Sequence, residues 1–146
     1  MAAQWPRVKA WAVANLNSLT GWDAVTVIGG VPANGDRPTK YAIVGWTPPD
    51  GDGGEFSTTR DPDGFQTQEV GTLHIYLVCQ GGEVNPAMFE DAAFALYDQL
   101  DAEIRRNRTL DGTLSDNSRA ELSAVPSIAQ TNTALTITLS YFTVTT

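Results

Sequence analysis

The order of residues in this chain predicts an α+β domain, an antiparallel or mixed sheet of four to five strands with two helices packed on one face. Three observations lead there. Phe89, Ala92, Ala93, Leu96, Leu100 and Ile104 recur three and four residues apart, the spacing of one helical stripe. From Thr133 onward apolar and hydroxyl side chains alternate, the period of a half-buried strand. The segments read as α-β-β-β-α-β-β, an order that suits adjacent strands with helices gathered on one side. At 146 residues the chain can bury a single two-layer core without staples.

Taken in order, a first helix is predicted from Pro6 to Leu19. Proline suits a first helical turn, and Val8, Trp11, Ala12, Leu16 and Leu19 form its apolar stripe. Gly21 is placed to end it. Strands are predicted at Ala24 to Ile28 and Lys40 to Trp46, joined by the loop-like GGVPANGDRPT. Residues 47–64 read as a long irregular acidic loop, with Asp50, Asp52, Glu55, Asp61 and Asp63 against the single Arg60. A strand from Gln66 to Gln80 puts Leu73, Ile75, Leu77 and Cys79 on one face and Thr72, His74, Tyr76 and Val78 on the other. The second helix has Asn85 as N-cap, Pro86 as first residue, and Glu90 and Asp91 near its positive end. Arg105, Arg106 and Arg108 gather at its other end. A strand at Arg119 to Ile128 precedes the last one.

That last strand, Thr133 to Val144, lies in a stretch, Leu122 to Thr146, without a charged side chain. Leu135, Ile137, Leu139 and Tyr141 take one face and Thr136, Thr138 and Ser140 the other. Phe142 and Val144 then put apolar groups on the hydroxyl face. Its length would be about 40 Å at ~3.4 Å per residue, against a usual strand of roughly 5–6 residues. The expectation is that part of it stays unpaired in the subunit and meets a neighbouring copy, with Phe142 and Val144 in that contact.

Charge narrows the partners. A net charge of −8, with Lys9 and Lys40 beside seven arginines, disfavours binding to phosphates. One cysteine excludes an internal disulfide and fits a reducing compartment. No apolar run approaches the ~18 residues of a membrane span, and residues 1–9 lack a hydrophobic signal region. Folding in a cytoplasm is expected, so the acceptor-like Asn107-Arg108-Thr109 carries no meaning.

Chemistry is sparse. His74 and Cys79 are the only residues of their kinds, and their odd separation sends them to opposite faces of a strand. Asp50-Gly51-Asp52-Gly53-Gly54-Glu55 invites a calcium reading, but positions five, six and twelve of that loop hold Gly54, Glu55 and Asp61. Asp98, Asp101 and Glu103 read as the wet face of the second helix. No phosphate-cradling glycine loop and no Gly-x-Ser-x-Gly elbow occurs. No cofactor, metal or enzymatic activity is expected. The three arginines have two readings: compensation of the helix dipole, or contact with the acidic loop of an adjacent copy, a head-to-tail arrangement that can close a ring.

The first helix, the strands around GGVPANGDRPTKYAIVG, the second helix FEDAAFALYDQLDAEI, the turn TLDGTL and the threonine-rich end together resemble the tail-terminator (tail-completion) proteins of long-tailed, non-contractile bacteriophages. The 47–64 segment is longer than that family's pattern. The resemblance implies a hexameric ring in the virion's tail and neck. Such a ring caps the last ring of the tail tube, ends tube growth and offers a docking surface to the head-completion connector. DNA would pass through the bore without specific binding, which an acidic subunit suits. The rival readings are another ring protein of the neck or tube, or a small α+β enzyme or ligand-binding domain.

Overall fold

The computed structural model describes residues 3–30, 38–62, 64, 66–81 and 86–145. Helix α1 (Trp5–Asn15) runs into a 3₁₀ turn at Leu16–Ser18. Strands β1 (Thr26–Gly29), β2 (Lys40–Val44), β3 (Gly54–Arg60) and β4 (Thr67–Gln80) follow, then helix α2 (Pro86–Arg106) and strands β5 (Arg119–Ile128) and β6 (Asn132–Thr145). The strands form one mixed sheet in the order β1-β2-β4-β6-β5, with β3 added beside β4. Only β1 and β2 run parallel.

Both helices lie on one face, because each carries an apolar stripe that only a sheet face can cover. Val8, Trp11 and Ala12 of α1, and Ala93, Leu96, Leu100 and Ile104 of α2, share a core with Ala42, Val44, Leu73, Ile75, Leu77, Leu135, Ile137, Leu139 and Tyr141. The two-residue periods of β4 and β6 thus set the core, with the odd positions inward. After the 3₁₀ turn the chain reverses at Gly21, whose φ of +83° suits glycine. Trp22 then enters the core completely, its indole Nε1 donating to the Leu96 carbonyl of α2 at 3.0 Å. Trp11 Nε1 donates to Asp111 at 2.9 Å, tying α1 to the turn after α2. The opposite sheet face carries a smaller cluster of Tyr41, Ile43, Val78 and Ala134.

Two expectations are corrected. The segment 47–64 is not irregular throughout: Gly54–Arg60 is a strand, paired with β4 from Gly54↔Leu73 to Arg60↔Thr67. The sheet therefore has six strands, more than the four to five expected. Six of the seven β3 residues are exposed, so no apolar alternation marked it. The second correction concerns the last strand. β6 pairs with β4 along its whole length, Asn132↔Gln80 to Thr145↔Thr67, and with β5 from Thr133↔Ile128 to Phe142↔Arg119. No surplus awaits a neighbour, because β4 is equally long and serves as template. The tip is also anchored: Thr143 is fully buried and its hydroxyl accepts from Ser118 Oγ at 2.7 Å. The predicted cap Asn85, most of the loop before β2, and Asp63 lie outside the described residues.

Candidate assembly surface

One edge of β4 is shared by two strands. Residues 75–79 pair with β2 and 67–73 with β3. Between them His74 donates its N–H to Gly53 O at 3.0 Å and accepts from Gly45 N at 2.8 Å, so both ends of the 45–53 excursion meet on one residue. Asp52 shapes this excursion. Its carboxylate accepts from Gly54 N at 3.0 Å, and its carbonyl accepts from the Thr47 hydroxyl at 2.7 Å. His74 Nδ1 lies 3.2 Å from that carbonyl and 3.7 Å from the Asp52 carboxylate.

Glu69 is the residue that sequence reasoning missed. It is 3 % exposed, on the helix side of β4. Its carboxylate accepts the Gln4 backbone N–H at 2.9 and 3.1 Å and the Tyr141 hydroxyl at 2.6 Å. Gly71, opposite Tyr141 in the ladder, makes room for that ring: a Cβ there would stand 2.4 Å from it. The signal was available, since Glu69 continues in phase the odd-numbered core positions of β4.

Burial first, and then the adjacent Glu69 carboxylate, push the Tyr141 hydroxyl far above the usual phenol range. The folded state thus holds this proton more tightly than the unfolded chain does. Its contribution is fully present below the unfolded value of ~10 and is lost as pH rises beyond it. Urea midpoints are expected to fall above pH ~10, and Tyr141→Phe should flatten that fall.

The face without helices is rich in hydroxyls. Strand parity places Ser57, Thr59, Thr72, Thr136, Thr138, Ser140 and Ser123 on it. Arg119, Glu121 and Glu55 are its charges at the β5 and β3 margins. A shallow cleft of about 500 Å³ opens there among Val70, Arg119, Glu121, Ser140 and Phe142. Among the described residues no three His, Cys, Asp or Glu side chains gather as a metal site, and no helix is long and apolar enough to cross a membrane.

The residues singled out from sequence are scattered over this framework. Phe142 and Val144 lie half-buried on the open face of β6, Phe142 between β4 and β5 and Val144 beside β4, with Arg119 5.9 Å above the Phe142 ring. Substituting them therefore disturbs the sheet as well as any contact. Arg105 pairs with Asp101 at 3.0 Å and Arg106 with Glu103, so α2's own carboxylates engage both. Arg108 is exposed just beyond the helix. Asp50 and Asp52 belong to the excursion, Glu55 and Arg60 to β3, and Asp61 follows it.

Among the described residues three strands have one unpaired edge, β1, β3 and β5, and the longer two are β3 and β5. In β3 the bonds His74 N to Gly53 O and Asp61 N to Gln66 O (2.9 Å) fix the ladder's phase. Odd residues bond to β4, and Phe56, Thr58 and Arg60 direct their N–H and C=O outward. In β5 the bond Ala129 N to Asn132 O at 2.9 Å sets the same parity, leaving Ala120, Leu122 and Ala124 facing outward. Pro126 falls on this outer set, where its missing N–H costs the sheet nothing. Phe56 is 46 % exposed and Val125 70 %. The chain matches no protein-family model and no curated sequence.

Proposed function

We propose that this chain is a structural virion protein that forms a ring on the end of a phage tail tube, ends tube growth and presents a docking surface for the head-completion connector. The observation that carries the reading is the one-sided sheet. Helices cover one face, while the other carries rows of serine and threonine beside the smaller apolar cluster at Tyr41, Ile43 and Val78, with few charges and, among the described residues, no cluster of lysine or arginine. In a ring with the helices outward, that face borders the bore. Hydroxyls keep it wetted, and the net charge of −8 per copy opposes adhesion of DNA. Unlike upper and lower surfaces would let the ring accept the last tube ring and refuse another tube subunit.

The test is electron microscopy of the purified chain, alone and added to polymerising tail-tube subunits. Single rings or monomers that cap tube ends and shorten the tubes are expected. Long tubes formed by the chain alone would make it the tube subunit. Selective pull-down by a portal complex would move it to head completion.

A further inference from the structure

We propose that the outer edge of β3 in one copy pairs antiparallel with the outer edge of β5 in the next, so that neighbouring copies share one continuous sheet. The inference rests on the assembly reading above and names the contact that assembly uses. A second copy of this chain is the occupant for three reasons, each visible in the subunit.

The first is direction. β3 is antiparallel to β4, β4 to β6 and β6 to β5, so β3 and β5 point opposite ways. Two copies set side by side in the same orientation bring β5 of one against β3 of the other as an antiparallel pair. That contact is head-to-tail and leaves the same two edges free at the ends of any open chain of copies.

The second is phase. On both edges the even residues carry the outward N–H and C=O groups, and on both strands the even residues lie on the helix-covered face. Even against even therefore extends the hydrogen-bond ladder and both faces of the sheet together.

The third is charge, which selects the register. With Thr58 opposite Leu122 of the next copy, Phe56 meets Ala124 and Arg60 meets Ala120. Asp61 then stands opposite Arg119, an attractive pair on the open face. A slip of two residues one way sets Asp61 against Glu121, and the opposite slip leaves Arg119 facing Thr59. In the favoured register Pro126, which has no N–H, falls opposite Gly54, whose N–H is already held by Asp52. The ladder ends there without a stranded donor. The exposed Phe56 ring gains cover from Ala124 and Leu122 of the neighbour.

The experiment is disulfide trapping with the double variant Ser57→Cys/Ser123→Cys in the full chain. The two positions form a non-hydrogen-bonded pair, which brings Cα atoms to about 4.5 Å, within disulfide range. Inside one copy β3 and β5 are three strand spacings apart, roughly 14 Å at ~4.8 Å each, so no disulfide can close within a subunit. Both sites are exposed, and the natural Cys79 is buried.

Mild oxidation of concentrated protein is expected to give a reducible ladder of covalent dimers and larger species. The single variants and the slipped pair Ser57→Cys/Val125→Cys should give at least tenfold less. A ladder of equal strength from the slipped pair would overturn the register. Particles seen by light scattering without a ladder, or monomers alone with no ladder, would overturn the edge contact. Capping of tube ends, measured separately, decides whether the ring reading survives that failure. Thr58→Pro removes one outward N–H that the subunit's own sheet does not use. Assembly undiminished in that variant, with circular dichroism unchanged, would equally rule the pairing out.

Discussion

Replacing Trp22 by alanine is expected to cost about 3–5 kcal/mol, the range for deleting a large buried aromatic side chain. Trp22 is fully buried and belongs to the same core as Leu16, Leu96 and Leu100. Its Nε1 also reaches the Leu96 carbonyl at 3.0 Å, so the ring joins the turn after α1 to the middle of α2. Deletion leaves a cavity that neither helix can close without leaving the sheet. In thermal unfolding this should appear as a fall in Tm of roughly 10–20 °C, at about 3–4 °C per kcal/mol for a chain of this size. Trp22→Phe keeps much of the apolar volume and loses the hydrogen bond, so a loss nearer 1–2 kcal/mol is expected. A deficit below about 1 kcal/mol for Trp22→Ala would mean that the two helices do not share this core.

The second large effect is expected from Glu69→Ala. The carboxylate is the shared acceptor for the Gln4 N–H and the Tyr141 hydroxyl. Removing it strands two buried donors, at about 1–3 kcal/mol each. Tyr141→Phe removes one bond and leaves the Gln4 contact intact, so its cost should be smaller. The order Glu69→Ala worse than Tyr141→Phe, measured as urea midpoints at neutral pH, is the outcome to look for. Equal losses would show that Gln4 contributes nothing to holding the start of α1 against β4.

Much of this architecture was legible, and the failures have physical causes. β5 was read with its observed bounds, and the faces of β4 and β6 in the correct phase, because one-sided burial imposes a two-residue period on any half-buried strand. α2 was visible from its stripe. β3 was hidden because an edge strand exposed at Ser57, Thr58 and Thr59 needs no apolar period, and the Gly and Asp residues before it read as loop. Both long strands were legible, Gln66 to Gln80 and Thr133 to Val144, but not their pairing with each other, so a central strand was mistaken for one with pairing to spare. The acidic residues and arginines drew attention as partners for a neighbour. Arg105 and Arg106 in fact meet carboxylates one helical turn away, a contact that i,i+3 and i,i+4 spacing already implied. No residue pattern announces which edge of a sheet is left free; that depends on strand order, which one chain's periodicity does not contain.

The pinching of Gly45 and Gly53 onto His74 makes β2 and β3 two halves of one rail, with a detour spliced between them. Because both ends of the detour are fixed at a single point, its contents can change without shifting the rail. A short epitope or fluorophore-binding peptide spliced between Pro49 and Gly51 should therefore ride on the assembled particle as a passenger, marking where each subunit sits.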